Sequence, residues 1–209
     1  MKIAVISETS AGDRNPDIIS ALDGRGHEVF NVGMKKGGTE PQLGYTETGF
    51  LTGLLLHTGR VDFVVGGCGT GQGYLDSAMQ YPGVFAGLVL DSLDAWLFTQ
   101  INGGNCISLA LNKGYGWAGD VNLKFIFDRI FSVERGAGYP EHRKEPQAAL
   151  RKLLSEVSIA THKTWPEILV NLPKTVTSKA LKYPGVTDLL DIDNLADAKL
   201  KAALESLSS

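Results

Sequence analysis

The sequence contains few cysteines: Cys68 and Cys106 are the only two among its 209 residues. So few thiols argue against a small fold held together by disulfides and fit a reducing compartment, where thiols stay free. We therefore expect a cytoplasmic protein in which a disulfide is not formed and a single cysteine is available for chemistry.

Long apolar runs and clusters of basic residues are also missing. The apolar run over residues 1–6 turns polar at Ser7 and Glu8, too early for a signal peptide, and no run approaches the length of a bilayer span. The formal net charge is -3 and the pI is near 5.8, which argues against a nucleic-acid surface. We expect neither membrane nor nucleic acid as a partner, whereas a small anion needs only a few local cations.

What the sequence does contain is an alternation of apolar runs and helical patterns. Strands are predicted over residues 2–6, 27–32, 61–68, 84–90 and 106–109. Helices are predicted around residues 18–22 and over 45–58, 74–81, 92–100 and 120–133, the last with Val121, Leu123, Phe125, Ile126 and Ile130 facing inward. This order predicts an α/β fold of the doubly wound, Rossmann-like kind: a five-strand parallel sheet with helices on both faces.

A glycine-rich turn follows the third predicted strand. It reads Gly66-Gly67-Cys68-Gly69-Thr70-Gly71-Gln72-Gly73. The backbone amides of residues 69–73 would be free donors around an anion, and a thiol in that setting can act as a base or nucleophile. The alternative is a small, buried and inert cysteine on a tight turn. A dinucleotide site is disfavoured, because the glycines follow the third strand and lack the G-x-G-x-x-G spacing.

Three sequence blocks together resemble a known family. The blocks are the turn over residues 68–73, the strand over 83–86 and the turn over 102–109. They are similar to the C-G-T-G-x-G turn, the G-I-R-A strand and the H-N-x-x-N-V turn of the type B ribose-5-phosphate isomerases and galactose-6-phosphate isomerases. The spacing between the blocks matches without a gap, and the resemblance extends from Lys2 to about Val133.

The resemblance implies an aldose-ketose isomerase that needs neither cofactor nor metal. Such enzymes move a proton between C2 and C1 of a sugar or sugar phosphate through an enediolate. By position, the catalytic residues would be Cys68 as the base, Thr70 and Glu8. The substrate-binding residues would be Thr9, Gly69, Gly71, Gly73, Asn102, Asn105, His142 and Arg143. On the residues alone, Asn105 is as readily a satisfied turn residue.

The chain departs from the family pattern at several recognition positions. Where the family has Asp-His after the first strand, this chain has Glu8 and Thr9. Ile101 replaces the histidine before the first asparagine, Phe85 replaces the arginine of G-I-R-A, and Met79 replaces an asparagine. The base and the anion-holding turn are kept while groups that hold phosphate are lost, so ribose-5-phosphate is expected to be a poor substrate. A non-catalytic carbohydrate- or anion-binding relative is the alternative function.

The chain divides by composition into residues 1–135, the isomerase-like α/β domain, and residues 136–209, a helical C-terminal extension. Two stripes of leucines and valine in the extension have helical spacing and must be buried somewhere: Leu150, Leu153, Leu154 and Val157, and later Leu195, Leu200, Leu204 and Leu207. They could pack on their own domain or on a partner subunit. The resemblance implies active sites between subunits, hence a homodimer or homotetramer, with His142 or Arg143 reaching the partner's Cys68 pocket.

Overall fold

The computed structural model describes residues 1–208, in which five parallel strands form one sheet. The strands are β1 (Lys2–Ser7), β2 (Glu28–Asn31), β3 (Phe63–Cys68), β4 (Ala86–Val89) and β5 (Cys106–Ala110). The order across the sheet is β2-β1-β3-β5-β4. The predicted five-strand parallel α/β fold is confirmed, and its central strands are buried along almost their whole length because helices cover both faces.

The described helices fall into two groups along the chain. Those between the strands and directly after them are α1 (Asn15–Leu22), α2 (Tyr45–His57), α3 (Gln72–Ala78), α4 (Ser92–Leu97) and α5 (Gly119–Ile130). Those of the C-terminal extension are α6 (Lys144–Thr161), α7 (Trp165–Asn171), α8 (Lys174–Leu181), α9 (Val186–Leu190) and α10 (Ala198–Ser208). Short 3-10 helices cover Thr9–Arg14, Glu141–Arg143 and Ile192–Asn194, and a π-helix covers Phe98–Asn102. Over residues 1–208, none of these helices combines the length and apolar character that a bilayer crossing requires.

The inward face of α5 differs from the prediction. Leu123, Ile126 and Ile130 are buried as expected, but Val121 and Phe125 are exposed, Phe125 to 55 %. The buried stripe continues through Phe127 instead, because residues 123, 126, 127 and 130 share one face of a helix while 121 and 125 lie off it. The sequence-based assignment of Val121 and Phe125 to the core was therefore wrong.

The last four helices of the extension pack on the chain's own α2. Their apolar residues join one continuous core with α2 and α3, and the buried side chain of Trp165 belongs to it. The Trp165 ring stacks on Tyr81 at a centroid distance of 5.5 Å and contacts Phe50 at 6.1 Å. Polar contacts add to this packing, since Tyr183 donates to the Gly33 carbonyl and Arg60 donates to the Leu190 carbonyl.

Helix α6 is far less buried than the helices that follow it. Of its 18 residues only Ser158 is buried, where its hydroxyl accepts a hydrogen bond from the Gly83 amide. Its apolar stripe is open to solvent and consists of Leu150, Leu153, Leu154 and Val157. The leucine stripe nearest the C-terminus is thus covered by the chain itself, whereas the stripe on α6 is not.

Replacing Trp165 by alanine should loosen the extension from α2. A buried aromatic side chain replaced by alanine typically costs about 3–5 kcal/mol, from lost burial and the cavity left behind. We expect the free energy of unfolding, measured by urea denaturation, to fall by about 3 kcal/mol or more. Val170→Ala is the matched control in α7, because Val170 is 79 % exposed. Equal effects of the two substitutions would show that Trp165 does not anchor the extension.

Candidate active site

The thiol of Cys68 lies at the carboxyl end of β3, next to the end of β1. Ser7 of β1 is in register with Gly67 of β3, and the Glu8 amide then donates to the Gly67 carbonyl at 3.0 Å. Glu8 and Cys68 are therefore neighbours just past the paired strands. The Cys68 side chain is 6 % exposed, and its Sγ lies 4.0 Å from Thr70 Oγ1. This placement matches the expectation that the third strand ends at the cysteine.

The glycine-rich turn carries the chain from β3 into α3. Gly71 has φ 78°, a left-handed conformation that favours glycine, and it precedes the first residue of the helix. Two of the expected free amides are occupied, because Gly69 N–H donates to Ser10 Oγ at 2.9 Å and Gln72 N–H donates to Thr70 Oγ1 at 3.3 Å. Among residues 1–208, the amides of Thr70, Gly71 and Gly73 have no acceptor. The set of free donors is thus smaller than the sequence suggested.

The Glu8 carboxylate is held by one neighbour and keeps one oxygen free. Its Oε2 accepts hydrogen bonds from the Ser10 amide, at 2.9 Å, and from the Ser10 hydroxyl. No residue of the described chain donates to its Oε1. Because Ser10 Oγ also accepts from the Gly69 amide, one serine connects the carboxylate to the turn that bears the thiol.

Ser10 and Asn112 are site residues that the sequence analysis missed. Asn112 follows β5, and its side-chain amide donates to the Ser10 carbonyl at 2.7 Å while its backbone amide donates to the Gly69 carbonyl at 3.0 Å. The ends of β1, β3 and β5 are joined in this way. The position of Asn112 after a predicted strand was visible in the sequence, but its partners are 102 and 43 residues away and left no local signal.

The buried side chain of Tyr74 packs against Gly66 of β3. The Tyr74 hydroxyl lies 2.6 Å from Thr52 Oγ1 and 3.4 Å from the Cys106 sulfur. Its ring packs so closely on Gly66 that a side chain at position 66 would overlap it. Burial raises the pKa of Cys106 to about 12, so that thiol stays protonated at neutral pH. Of the two cysteines, Cys68 is the one that lies at the carboxyl edge of the sheet.

Two other polar residues at this edge, Thr9 and Asp91, form hydrogen bonds within the protein. Thr9, which stands where the family has histidine, accepts a hydrogen bond from the Gly38 amide at 3.3 Å and donates its own amide to the Leu43 carbonyl. Thr9 thus fastens the loop between β2 and α2. Asp91 follows β4 and caps α4 by accepting hydrogen bonds from the amides of Leu93 and Asp94.

The remaining predicted site residues lie at the opposite edge of the sheet. Asn105 precedes β5, whose first residue pairs with Val64, so Asn105 is level with Phe63 and lies roughly 16 Å from Cys68 along the strands. Asn105 is fully used as a turn residue: its Oδ1 accepts from the Phe85 amide at 2.9 Å and its Nδ2 donates to the Gly83 carbonyl at 2.8 Å. Asn102 is exposed at the end of the π-helix.

His142 and Arg143 also lie away from the Cys68 turn of their own chain. They occupy an exposed 3-10 helix. The segment before it is bound to the π-helix by the Gly136 amide on the Thr99 carbonyl and by the Gly138 amide on the Gln100 carbonyl. Within one chain the structure brings Cys68, Thr70, Glu8 and the turn glycines together, and it does not bring the asparagines or the cationic segment to them.

Comparison with known proteins identifies the family. The model of the family described as Ribose/Galactose Isomerase matches residues 3–129, more than half of the chain. The chain belongs to the ribose/galactose isomerase family. The match covers the sheet, the glycine-rich turn and most of α5, and it ends before the helical extension.

Two solved structures match the chain over its whole length. A 4-deoxy-L-threo-5-hexosulose-uronate ketol-isomerase, complexed with a tartrate, is 35% identical with a TM-score of 0.92, covering 100% of this chain and 99% of that one. A ribose-5-phosphate isomerase from Vibrio parahaemolyticus is 39% identical with a TM-score of 0.93, covering 99% of both chains. The helical extension is therefore shared with both of these family members.

A third solved structure with this fold is shorter than the chain. The ribose-5-phosphate isomerase B of Clostridium thermocellum is 22% identical with a TM-score of 0.63, and it covers 77% of this chain and 99% of that one. At this identity the likeness shows the fold alone.

Within residues 1–208, no group of three or more histidine, cysteine, aspartate or glutamate side chains is arranged to hold a metal ion.

An arginine-tyrosine pair lies at the same carboxyl edge of this isomerase fold. The guanidinium of Arg14 stands over the Tyr115 ring, 4.4 Å from its centroid, and the Tyr115 hydroxyl donates to Asp17 Oδ2 at 2.7 Å. Burial, together with the Asp17 hydrogen bond, raises the pKa of Tyr115 well above its ordinary value, so the ring remains neutral.

Replacing Asn105 by alanine should lower stability, because its side chain makes two hydrogen bonds within the turn. At about 1 kcal/mol for each bond, we expect the free energy of unfolding to fall by about 2 kcal/mol. Asn102→Ala is the matched control, since Asn102 is exposed and should change stability by less than about 0.5 kcal/mol. Chemical denaturation of both variants measures the difference, and an Asn105 effect no larger than that of Asn102 would contradict the turn role.

Proposed function

We propose that the chain is a ketol-isomerase for an acidic sugar, in which Cys68 moves a proton between C1 and C2 through an enediolate. Membership of the ribose/galactose isomerase family establishes a sugar isomerase. The observation that carries the cysteine mechanism is the junction at the carboxyl edge, where a thiol, a carboxylate oxygen without a partner and three free amides meet.

The reaction needs a base, a site for the oxyanion and an acid. As the thiolate, Cys68 removes the proton from the carbon next to the carbonyl, and the bonding electrons pass to the carbonyl oxygen to give the enediolate. The amides of Thr70, Gly71 and Gly73 stabilise that oxygen as its charge develops, because they are fixed by the turn and have no other acceptor. Returning the proton to the neighbouring carbon completes the isomerisation.

Glu8 transfers a proton between the two oxygen atoms of the substrate. Proton transfer at carbon must be accompanied by transfer between the two oxygens, because the hydroxyl and the carbonyl exchange places. The free Oε1 of Glu8 is placed to accept the hydroxyl proton and return it to the other oxygen. Ser10 holds Oε2, so the carboxylate keeps one orientation during both transfers.

The substrate class is an acidic sugar without phosphate. A phosphate dianion is usually held by several charge-assisted hydrogen bonds. The family's histidine is replaced by Thr9, whose hydroxyl is bound to the Gly38 amide, and Phe85 and Ile101 replace an arginine and a histidine. A uronate carries its charge as a planar carboxylate, which a single arginine can bind. The uronate ketol-isomerase that matches the whole chain supports this choice.

Ribose-5-phosphate isomerisation is the second candidate, because the whole-chain match from Vibrio parahaemolyticus bears that name. The deciding experiment compares turnover of 4-deoxy-L-threo-5-hexosulose-uronate and ribose-5-phosphate by the wild-type protein. We expect kcat/KM for the uronate to reach the ordinary enzyme range, about 10⁴ M⁻¹s⁻¹ or more, and that for ribose-5-phosphate to stay well below it. The reverse order would establish the second candidate.

The same assay tests the cysteine. Cys68→Ala should lower the rate of proton exchange at C2 by roughly 10²–10⁴-fold, since a general base is lost while the hydrogen bonds to the sugar remain. Cys106→Ala is the control, because that thiol is buried and protonated. If Cys68→Ala exchanged the proton at the wild-type rate, the base would be Glu8. If neither sugar reacted while both bound, the chain would be a non-catalytic carbohydrate-binding relative.

The proposed enzyme is a homodimer whose subunits meet at α6. A groove of about 580 Å³ runs between α6 and the π-helix. Three of the positions where this chain departs from the family line it, Met79, Phe85 and Ile101, together with Leu150 and Leu154. The apolar replacements and the open stripe on α6 thus form one surface, of the kind that marks a protein interface.

A second copy bound to this surface would also explain why several predicted site residues lie at the amino edge, far from Cys68 of their own chain. Asn102 lines the groove, and His142 and Arg143 lie in the segment before α6. In one chain these residues are remote from Cys68. A partner seated on the groove would allow them to reach its Cys68 turn, which the family resemblance also implies.

Leu154→Asp should separate the subunits, because it places a charge in the apolar groove. We expect sedimentation equilibrium to give a dimer or tetramer for the wild-type protein and a smaller species for the variant. Ile159→Asp is the control on the same helix: Ile159 is 77 % exposed and does not line the groove. A wild-type monomer at assay concentration would rule out this interface.

A further inference from the structure

The carboxyl edge contains an arginine without a counter-ion. Arg14 is the last residue of the 3-10 helix Thr9–Arg14, which begins beside Glu8. Its Nε is buried and has no acceptor, and no hydrogen bond or ion pair to either Nη is found within residues 1–208. By contrast, Arg25 pairs with Asp128 and Arg151 donates to two carbonyls. A partly desolvated charge without a partner is costly, and an anion at Arg14 would offset that cost.

The neighbours of Arg14 hold the guanidinium without neutralising it. Tyr115 supports its flat face, and the Tyr115 hydroxyl is directed to Asp17 rather than to the arginine. A guanidinium stacked on a ring keeps its edge donors free, and that edge matches the two oxygens of a carboxylate. The Nη nitrogens are the reachable donors, because only Nε is buried without a partner.

Two segments connect Arg14 to the Cys68 turn: its own 3-10 helix, which contains Ser10, and the loop of Tyr115, which contains Asn112. Ser10, in the same 3-10 helix, binds the Gly69 amide, and the four residues from Ser10 to Arg14 advance roughly 8 Å along that helix. Tyr115 belongs to the loop that follows β5, whose Asn112 donates to the Gly69 carbonyl. An extended sugar acid carries its carbonyl at one end and its carboxylate at the other, so the two ends need separate binding points.

We propose that Arg14, stacked on Tyr115, binds the carboxylate of the substrate and sets the preference of the enzyme for sugar acids. The assignment rests on the proposed function for the identity of the reacting end at Cys68. The planar fork of one guanidinium matches the two oxygens of one carboxylate, so a single arginine is sufficient to bind the charged end of a sugar acid.

The test measures binding and turnover separately. Tartrate, a small dicarboxylate, serves as the binding probe in calorimetry, and 4-deoxy-L-threo-5-hexosulose-uronate serves as the substrate. We expect Arg14→Ala to raise the tartrate Kd and the uronate KM by roughly ten- to a hundredfold, as for the loss of one charge-assisted pair, while kcat changes by less than about threefold. Arg14→Lys, which keeps the charge but loses the fork, should fall between wild type and alanine.

Arg129→Ala is the charge-matched control, because Arg129 is an exposed arginine of α5 remote from this edge. Thermal melting of each variant establishes that it is folded. Unchanged tartrate Kd and uronate KM in folded Arg14→Ala would overturn the assignment, as would a wild-type protein that binds no tartrate. If tartrate binding depends on Arg14 but the uronate does not react, the isomerase proposal fails and the carboxylate site stands. If the uronate reacts equally in wild type and variant, only the assignment of Arg14 fails.

Discussion

The hydrogen bond from the Glu8 amide to the Gly67 carbonyl extends the pairing of β1 and β3 past the last residue of β1. Parallel strands bring their carboxyl ends to one edge, so residues 60 positions apart become neighbours there. The one extra bond fixes the height of Glu8 relative to Cys68. Bonds from Thr9 to Leu43 and between Ser10 and Gly69 then hold the segment that follows Glu8.

Ser10 completes this arrangement because a hydroxyl can donate and accept at the same time. It donates to the Glu8 carboxylate and accepts from the Gly69 amide, so the acid and the turn are held by one side chain. On the other side of β3, the Tyr74 ring fills the space that the missing side chain of Gly66 leaves. The turn is therefore fixed from both sides before any substrate arrives, and donors that need no reorganisation are the effective ones in catalysis.

The sequence predicted the sheet, the position of Cys68 and the family, because apolar runs and glycine-rich turns are local signals. It did not predict which residues the turn would use. The amides of Gly69 and Gln72 are satisfied by hydroxyls, and one of these, Ser10, is 59 residues away. This pairing depends on the strand order, which places β1 beside β3 and which no single segment encodes.

Helical periodicity had a comparable limit. It located the stripes of α5 and of the extension, but it could not say what covers each of them. On α5, Phe127 is buried in the core whereas Phe125 is exposed to solvent. In the extension, Leu200 and Leu204 are buried on the chain's own core, whereas Leu154 is open. The patterns are alike in sequence, and only the packing of neighbouring helices distinguishes them.

The proposed change of substrate and the proposed subunit contact involve the same positions. Met79, Phe85 and Ile101 stand where the family has polar or charged groups, and all three line the groove beside α6. By the family resemblance, each replacement removes a polar or charged group, and each adds apolar surface to the groove. Within one chain, the proposed reacting groups at the ends of β1 and β3 lie at the other edge of the sheet, and none of the three replacements touches them. A chain built in this way can alter what it recognises while the proton-transfer chemistry stays the same.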